Sequence, residues 1–186
     1  TPPFTWGASS DSGSGLFGYQ FYFGADANGV SFQLFPATAD RRWTPQPGGV
    51  RTGTYYLRGR SLDNAGNYSD WATLFVYRYD GTPPDNPTEA THTAGIANDT
   101  WQRTTSAPDF TWPAPNDEGS GIKGYAVYWG DSASGEAATF SATPGFQSTT
   151  PLCATGATCI GYLRVRSLDN VDNQATKWST TFVLRY

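Results

Sequence analysis

Hydrophobic and polar positions alternate in two stretches of the chain that are close copies of each other. Residues 56–67 have the sequence YLRGRSLDNAGN and residues 162–173 have YLRVRSLDNVDN, a shift of 106 positions. Leu57, Gly59 and Ser61 alternate with polar neighbours, which is the period of two expected of a strand with one buried face. The Asp- and Asn-rich end is typical of a turn. We therefore predict that each copy forms the central strand of a β-sandwich and the hairpin that follows it.

Other stretches repeat at the same spacing, so the chain divides into two repeats. Each has a Phe-Thr-Trp strand, a Gly-Ser-Gly loop and an aromatic strand, at 4–6, 11–15 and 16–24 and again at 110–112, 117–121 and 122–130. A closing strand follows at 69–79 and 176–186, now shifted by 107 because one residue has entered the turn. Two weaker strands are expected in each of the variable stretches, 25–52 and 131–158. Nothing in the pattern predicts a helix.

The repeats set the predicted domain boundaries. We assign residues 1–79 to the first repeat, 80–87 to a linker and 88–186 to the second repeat. Three prolines within five residues make the linker short and stiff rather than a flexible tether. Each repeat is long enough to bury a core of its own.

The opening strand differs between the repeats. Residues 88–107 are expected to supply it in the second repeat, with Trp101 as its core anchor, but the first repeat has no equivalent stretch. Two explanations are open: the sequence is a piece that lacks this strand, or a neighbouring molecule donates it. In the second case an exposed strand edge would bind a partner.

Two motifs together resemble a known family. They are a Trp followed by Asp-x-Gly-Ser-Gly-hydrophobe-x-Gly-Tyr, and later Tyr-Leu-Arg-x-Arg-Ser-Leu-Asp-Asn. This combination is similar to the fibronectin type III and immunoglobulin-like repeats of bacterial extracellular proteins. The resemblance implies an all-β fold of two tandem fibronectin type III-like (Ig-like) β-sandwiches, the first lacking its opening strand. It implies use as spacers, adhesion modules or enzyme-flanking domains. The tyrosine corner of such domains has a counterpart in Tyr55, whereas Gly161 stands there in the second repeat.

Arginine and tryptophan side chains recur on the outer face of the predicted sheet. The set is Arg58, Arg60 and Trp71 in the first repeat, and Arg164, Arg166 and Trp178 in the second. It resembles the Arg/Trp ladder of cytokine-receptor fibronectin type III domains. Stacking of guanidinium on indole contributes about 0.5–1 kcal/mol per contact, so we expect structural packing, with partner recognition as the alternative.

Composition restricts the partners. A net charge of −4 and a pI near 4.8 argue against nucleic acid, which needs a basic face. No apolar run of 18 residues is present, so no membrane span is predicted in this sequence. Charged residues make up only 15% and aromatic residues 16%, which fits two small aromatic cores in an extracellular or cell-surface chain.

The two cysteines, Cys153 and Cys159, lie close together beside a predicted strand. We expect a disulfide formed in an oxidising compartment. A redox or metal-binding pair is the alternative, but the spacing is not C-x-x-C and the chain has no second pair. The matching positions in the first repeat are Pro47 and Gly53, so the bond would be local to one repeat.

The sequence offers no catalytic set. His92 is the only histidine, and we expect it on the surface of an edge strand rather than as a general base. Without a second histidine, a nucleophile–base relay cannot occur in both repeats. We predict that the chain is not an enzyme.

Clustered carboxylates make calcium the one cofactor that this sequence suggests. The predicted fold brings two loops of the second repeat together at the end that faces the linker. The acidic residues there are Asp117, Glu118, Asp169, Asp172, Asp80 and Asp85. Calcium takes six to eight oxygens at about 2.3–2.6 Å and would stiffen the joint between the repeats. The alternative is that Asp and Asn bond backbone amides and shape the turns.

Three functions are compatible with this sequence. The first is a non-catalytic structural spacer or adhesion module of a larger surface protein, whose partners are the neighbouring repeats. The second is a carbohydrate- or surface-binding module that stacks sugars on exposed rings, with Trp43 and the Tyr22/Phe23 and Tyr128/Trp129 pairs as candidates. The third is a filament subunit assembled by a donated strand.

Overall fold

A computed structural model of the chain describes residues 2–37, 41–46, 49–103, 107–149, 151–152, 154 and 157–186. These residues form strands, turns and loops and no helix, so none of them forms a helix able to cross a membrane. They fall into two compact units, Thr1–Asp80 and Gly81–Tyr186.

Unit 1 consists of two antiparallel sheets. Its strands are β1 (Phe4–Thr5), β2 (Leu16–Gly24), β3 (Leu34–Pro36), β4 (Arg42–Trp43), β5 (Gly53–Asp63) and β6 (Ala72–Tyr79). Strands β1 and β4 pair as one sheet, and the other has the order β3-β2-β5-β6. Strand β5 carries the first copy of the central motif and lies between β2 and β6.

Unit 2 repeats this plan with one more strand. Its strands are β7 (Thr91–His92), β8 (Asp109–Thr111), β9 (Ile122–Gly130), β10 (Thr139–Ser141), β11 (Gly145–Gln147), β12 (Ile160–Asp169) and β13 (Ser179–Arg185). One sheet has the order β11-β8-β7 and the other β10-β9-β12-β13. This strand order is that of a fibronectin type III sandwich, so the prediction of two tandem all-β sandwiches of this type is confirmed.

Each core forms where the alternating positions of the two sheets meet. In unit 1 the buried cluster is Phe4, Tyr19, Phe21 and Leu57, with half-buried aromatic rings around it. In unit 2 the cluster is larger and includes residues from β8, β9, β12 and β13: Phe110, Trp112, Tyr125, Val127, Leu163, Val165, Phe182 and Leu184. The alternation predicted for the central strand places Leu57, Leu163 and Val165 in these cores.

The opening segment of unit 2 differs from the sequence prediction in two places. Trp101, the expected core anchor, is 59% exposed and its ring contacts the guanidinium of Arg185 instead. His92, expected on the surface, is 1% exposed and packs edge-on against Phe110, with ring centroids 5.0 Å apart. Trp101 lies outside the core because the chain turns at Gly95, where φ is +74°, leaves the sheet of β7 and runs beside β13. His92 belongs to β7 itself and faces the core rings of Phe110 and Phe182.

The proline-rich stretch predicted as a linker contributes to unit 2. Pro84 and Pro87 are buried, and the amide N–H of Asp85 donates to the carbonyl of Asn116 at 3.1 Å. The side chain of Asn86 accepts from the amide of Ser167 at 2.8 Å. Residues 84–87 therefore pack along the edge of the second sandwich.

Candidate functional sites

Two aspartates shape the paired loops at one end of unit 2. The Asp117 Oδ2 atom accepts the amides of Gly119 and Gly121 at 3.2 and 2.7 Å. Asp169 is fully buried, and its Oδ1 atom accepts the amides of Val171 and Asn173 at 3.0 and 2.8 Å. Side-chain oxygens that cap amides two and four residues ahead fix a turn without any ligand.

An asparagine joins the two loops. The Nδ2 group of Asn170 donates to the carbonyls of Ser120 and Gly121 at 2.8 and 3.0 Å. In unit 1, Asn64 makes the equivalent bonds to Ser14 and Gly15 at 2.9 and 3.0 Å. The repeated Asp-Asn pair of the central motif is therefore a structural device that connects two loops of each sandwich.

The equivalent turn in unit 1 lowers the pKa of its aspartate. Hydrogen bonds from the side chain and then the backbone of Asn67 lower the pKa of the Asp63 carboxyl, with smaller help from Ser14 and Ala65. Burial opposes this change. The ionised form of Asp63 is thus the one that the turn binds.

Unit 2 brings together two of the carboxylates predicted to bind calcium. Carboxylate oxygens of Asp117 and Asp169 lie within 4.8 Å of each other, and the Asp117 Oδ1 atom is buried without a hydrogen-bond partner among the described residues. Glu118 is exposed, and Asp172 forms an ion pair with Lys123.

The remaining two candidate calcium ligands, Asp80 and Asp85, belong to the stretch predicted as a linker. Asp80 is the last residue of unit 1, where it accepts a hydrogen bond from the hydroxyl of Thr52 at 3.3 Å. Asp85 lies in the stretch that packs on unit 2. A calcium-stiffened joint between the repeats stays a prediction.

The arginines and tryptophans of the outer face make the contacts expected of packing. The guanidinium carbons of Arg58 and Arg60 lie 5.9 and 5.0 Å from the ring centre of Trp71, and Arg60 also lies 3.9 Å from the ring of Tyr68. In unit 2, Arg164 lies 5.8 Å from the ring of Trp178. The Nε group of Arg166 donates instead to the carbonyl of Ala175 at 2.7 Å.

The first arginine of each set has a second function that the sequence pattern alone did not predict. In unit 1 the Nη1 group of Arg58 donates to the carbonyl of Gly29 at 3.0 Å. In unit 2 Arg164 donates to Gly135 at 2.6 Å. Each arginine thus anchors the loop that follows the aromatic strand. The signal was present, since both partners keep the 106-residue shift.

The neighbouring tyrosines are structural in the same way. The Tyr22 hydroxyl accepts the amide of Asp26 at 3.2 Å, and the Tyr128 hydroxyl accepts that of Ser132 at 3.1 Å. A Cβ atom on Gly29 would lie 2.1 Å from the Tyr22 ring. Tyr22 and Tyr128 therefore hold a glycine-containing loop and are not free platforms for a sugar.

The two tryptophans proposed for sugar binding lie in different settings. Trp43 is half-buried at one wall of a cleft of about 400 Å³, which Phe21, Phe23, Gln33 and Gln46 also line. Trp129 packs against the core of unit 2, with its ring centroid 5.2 Å from that of Phe110. Trp43 is thus the better placed of the two for a ligand.

The predicted disulfide involves a residue outside the described part of the chain. Cys153 is not among the described residues, while Cys159 is half-buried at the start of β12 and exchanges two backbone hydrogen bonds with Tyr186. The Cys153–Cys159 bond stays a prediction.

Comparison with known proteins finds similarity to an enzyme. No family model matches the chain. Exoglucanase B of Cellulomonas fimi is 37% identical over 173 residues, which are 90% of this chain and 14% of that protein. The chain therefore spans a small part of the relative's length, and the alignment includes residues of both units.

Two solved structures align with the chain at low identity. One is the fibronectin(III)-like modules of CbhA from Clostridium thermocellum, with 14% identity and a TM-score of 0.36 over 94% of this chain and 81% of that one. The other is the FN1–FN3 domains of chicken CNTN1, with 15% identity and a TM-score of 0.39 over 98% and 60%. Strand order and the repeated motifs define the class: tandem fibronectin type III-like sandwiches. The chain consists of such repeats, of the kind found in bacterial proteins.

Proposed function

We propose that this chain is a non-catalytic pair of modules in a larger exported enzyme that hydrolyses glucans, where it spaces and orients other domains. One observation carries the proposal: the 37% identity to Exoglucanase B extends over 90% of this chain but only 14% of that enzyme. A module of this size within a long enzyme can be separate from the catalytic machinery. The hydrogen-bonded loops and the stacked arginines support a structural role.

The test inserts the chain between a cellulase catalytic domain and a cellulose-binding module. A Gly/Ser linker of equal length is the matched control, because it keeps the domains connected without fixed structure. We expect the same hydrolysis of soluble cello-oligosaccharides from both fusions and faster hydrolysis of insoluble cellulose with the chain. Glucan hydrolysis by the chain alone, or equal rates for both fusions on cellulose, would contradict the proposal. Binding of the chain alone to intact cells would favour adhesion at a cell surface.

A second candidate function is carbohydrate binding in unit 1. The observation that favours it is the cleft of about 400 Å³ beside Trp43, where aromatic rings and the amide side chains of Gln33 and Gln46 meet. Aromatic walls with a few polar groups are typical of small-ligand sites. Cellohexaose should quench tryptophan fluorescence, and Trp43→Ala should abolish this response. Trp101→Ala is the control, since Trp101 is exposed in unit 2; equal loss in both variants would disprove a site at Trp43.

We also propose that Asp117 and Asp169 contribute oxygens to a calcium site. The unpartnered Asp117 Oδ1 atom and the short separation of the two carboxylates support it. Calcium should raise the melting temperature of unit 2 relative to chelator, and Asp117→Asn should remove the increase. Asp11→Asn alters the equivalent loop of unit 1, where Asp11 caps Gly13 and Gly15, and should keep it. Identical melting with calcium and with chelator would refute this site.

A further inference from the structure

The two units differ at one position on the edge strands β3 and β10. In unit 1 this position is Phe35, which pairs with Tyr19, and in unit 2 it is Ser141, which pairs with Tyr125. The Phe35 ring packs on the core of unit 1, with its centroid 5.5 Å from that of Phe21. Serine lacks this ring, so unit 2 has space beside β10 that unit 1 fills.

A groove of about 380 Å³ opens beside Ser141 in unit 2. It is formed by residues of β10, at the edge of one sheet, and of the paired strands β8 and β11 of the other. Its apolar residues include Phe146, which packs on the core, and Phe140, which is 55% exposed. The groove thus offers aromatic surface to a ligand at the side of the sandwich.

Polar side chains from three strands line the same groove. They belong to Thr111 on β8, Thr139 on β10 and Gln147 on β11. All three residues are exposed, and their side chains form no hydrogen bond with the other residues that the structure describes. Two hydroxyls and one amide are therefore available to a ligand in the groove.

The charge of the groove restricts the ligand further. Asp109 is the one charged residue among the described residues that line it. A lone carboxylate repels an anionic ligand but accepts strong hydrogen bonds from neutral hydroxyls. Aromatic walls with a few polar groups are typical of small-ligand sites. A neutral sugar matches this combination, because it has an apolar ring face and hydroxyls around its rim.

We propose that this groove of unit 2 binds a short segment of a neutral β-glucan. A sugar face would lie on the phenylalanines, and its hydroxyls would bond to Thr111, Thr139 and Gln147. The site is separate from the cleft beside Trp43, which belongs to unit 1. The choice of a glucan rests on the proposed function in a glucan-hydrolysing enzyme, whereas the groove follows from the exchange of Phe35 for Ser141.

The geometry favours a sugar over a peptide added as a strand. Strands β10 and β11 have three residues each, so an added strand would form few main-chain hydrogen bonds. Such bonds supply most of the affinity in strand addition, and short edge strands are one way in which proteins prevent it. The available groups in this groove are side-chain hydroxyls and an amide, which suit a ligand with several hydroxyls.

The experiment titrates the complete 186-residue chain with cellotetraose and follows the amide NMR shifts. Saturable shifts should appear at Thr139, Ser141 and Gln147. Gln147→Ala should weaken this binding about fivefold, the loss of one hydrogen bond. Ser141→Phe restores the residue of unit 1, fills the groove and should abolish the shifts in unit 2. Tetragalacturonate, which is anionic, should cause no shifts there.

Ser141→Ala is the matched control for Ser141→Phe. The Ser141 hydroxyl donates to the carbonyls of Thr143 and Gly145 at 2.8 Å each. Alanine removes these bonds but leaves the groove open, so this variant should still bind cellotetraose. If Ser141→Phe fails to fold, Gln147→Ala and Thr139→Val test the groove without filling it.

Four results would each overturn the proposal. They are the absence of shifts in unit 2, shifts that persist in Ser141→Phe, equal loss of binding in Ser141→Phe and Ser141→Ala, and loss of the unit 2 shifts in Trp43→Ala. Failure here is distinguishable from failure of the proposed spacer function, because the comparison of fusions with the Gly/Ser linker does not require this groove.

Discussion

His92 is the residue whose ionisation bears most directly on unit 2. Burial lowers its pKa from 6.5, and the negative charge of Asp109 opposes this only in part. The unfolded chain therefore binds more protons than the folded unit just below pH 6.5. Stability is fully present above that value and falls as the pH drops towards the lower pKa of the folded state.

Thermal unfolding between pH 8 and pH 5 tests this linkage. The melting temperature of unit 2 should stay level above the unfolded pKa of 6.5 and decline below it. His92→Gln removes the titrating group and should flatten the decline. The lowered pKa of Asp63 in unit 1 acts in a separate window, because its stabilisation is lost only as the pH falls below 3.8. An equal decline in the variant would show that His92 is not the cause.

Gly66 illustrates a residue whose backbone angle matters more than its surroundings. Its φ is +90°, and a Cβ atom there would meet nothing within 4 Å. Gly66→Ala should therefore destabilise unit 1 by about 1 kcal/mol through backbone strain alone, a loss of about 4–8 °C in melting temperature. Gly7→Ala is the matched control, since Gly7 is equally open and has no positive φ. An unchanged melting temperature for Gly66→Ala would contradict this interpretation.

At the scale of elements, the arginine–tryptophan face links β5 to β6 and β12 to β13. Trp178→Ala removes the ring that lies 5.8 Å from Arg164, and it should destabilise unit 2 by about 0.5–1 kcal/mol. Arg164→Ala should cost more, because its bond to the Gly135 carbonyl is lost as well. Chemical denaturation measures both effects, with the exposed neighbour variant Lys177→Ala as control. Equal stability of Trp178→Ala and Lys177→Ala would show that the stacking has no energetic role.

The sequence pattern predicted the sandwich strands because their alternation is governed by burial. Leu57 and Leu163 alternate with arginines that face outward, and this period of two survives in both units. The opening segment was less predictable. It changes sheets at Gly95, so Trp101 lies over Arg185 on the surface, and no local pattern marks that change.

The candidate sites, too, were predictable from the sequence only in part. Asp117 and Asp169 were predicted to come together, and turn hydrogen bonds account for most of their oxygens. Contacts between distant residues, such as that of Arg58 with Gly29, leave no signal in either stretch alone. They become visible only when the two repeats are compared.

For the whole molecule, the central feature is that two sandwiches of one design differ in how their last strand is covered. In unit 2 the chain covers β13 with residues 90–102, whereas β6 of unit 1 is exposed. Unit 1 is correspondingly the unit with the smaller buried core.

Residue-resolved amide hydrogen exchange on the complete chain tests this feature most directly. The amide of Val183 is bonded to Asn98 at 2.7 Å and should exchange slowly. The corresponding amide of Val76 lies on an exposed strand and should exchange orders of magnitude faster. Strong protection of Val76 would contradict an exposed β6 in unit 1.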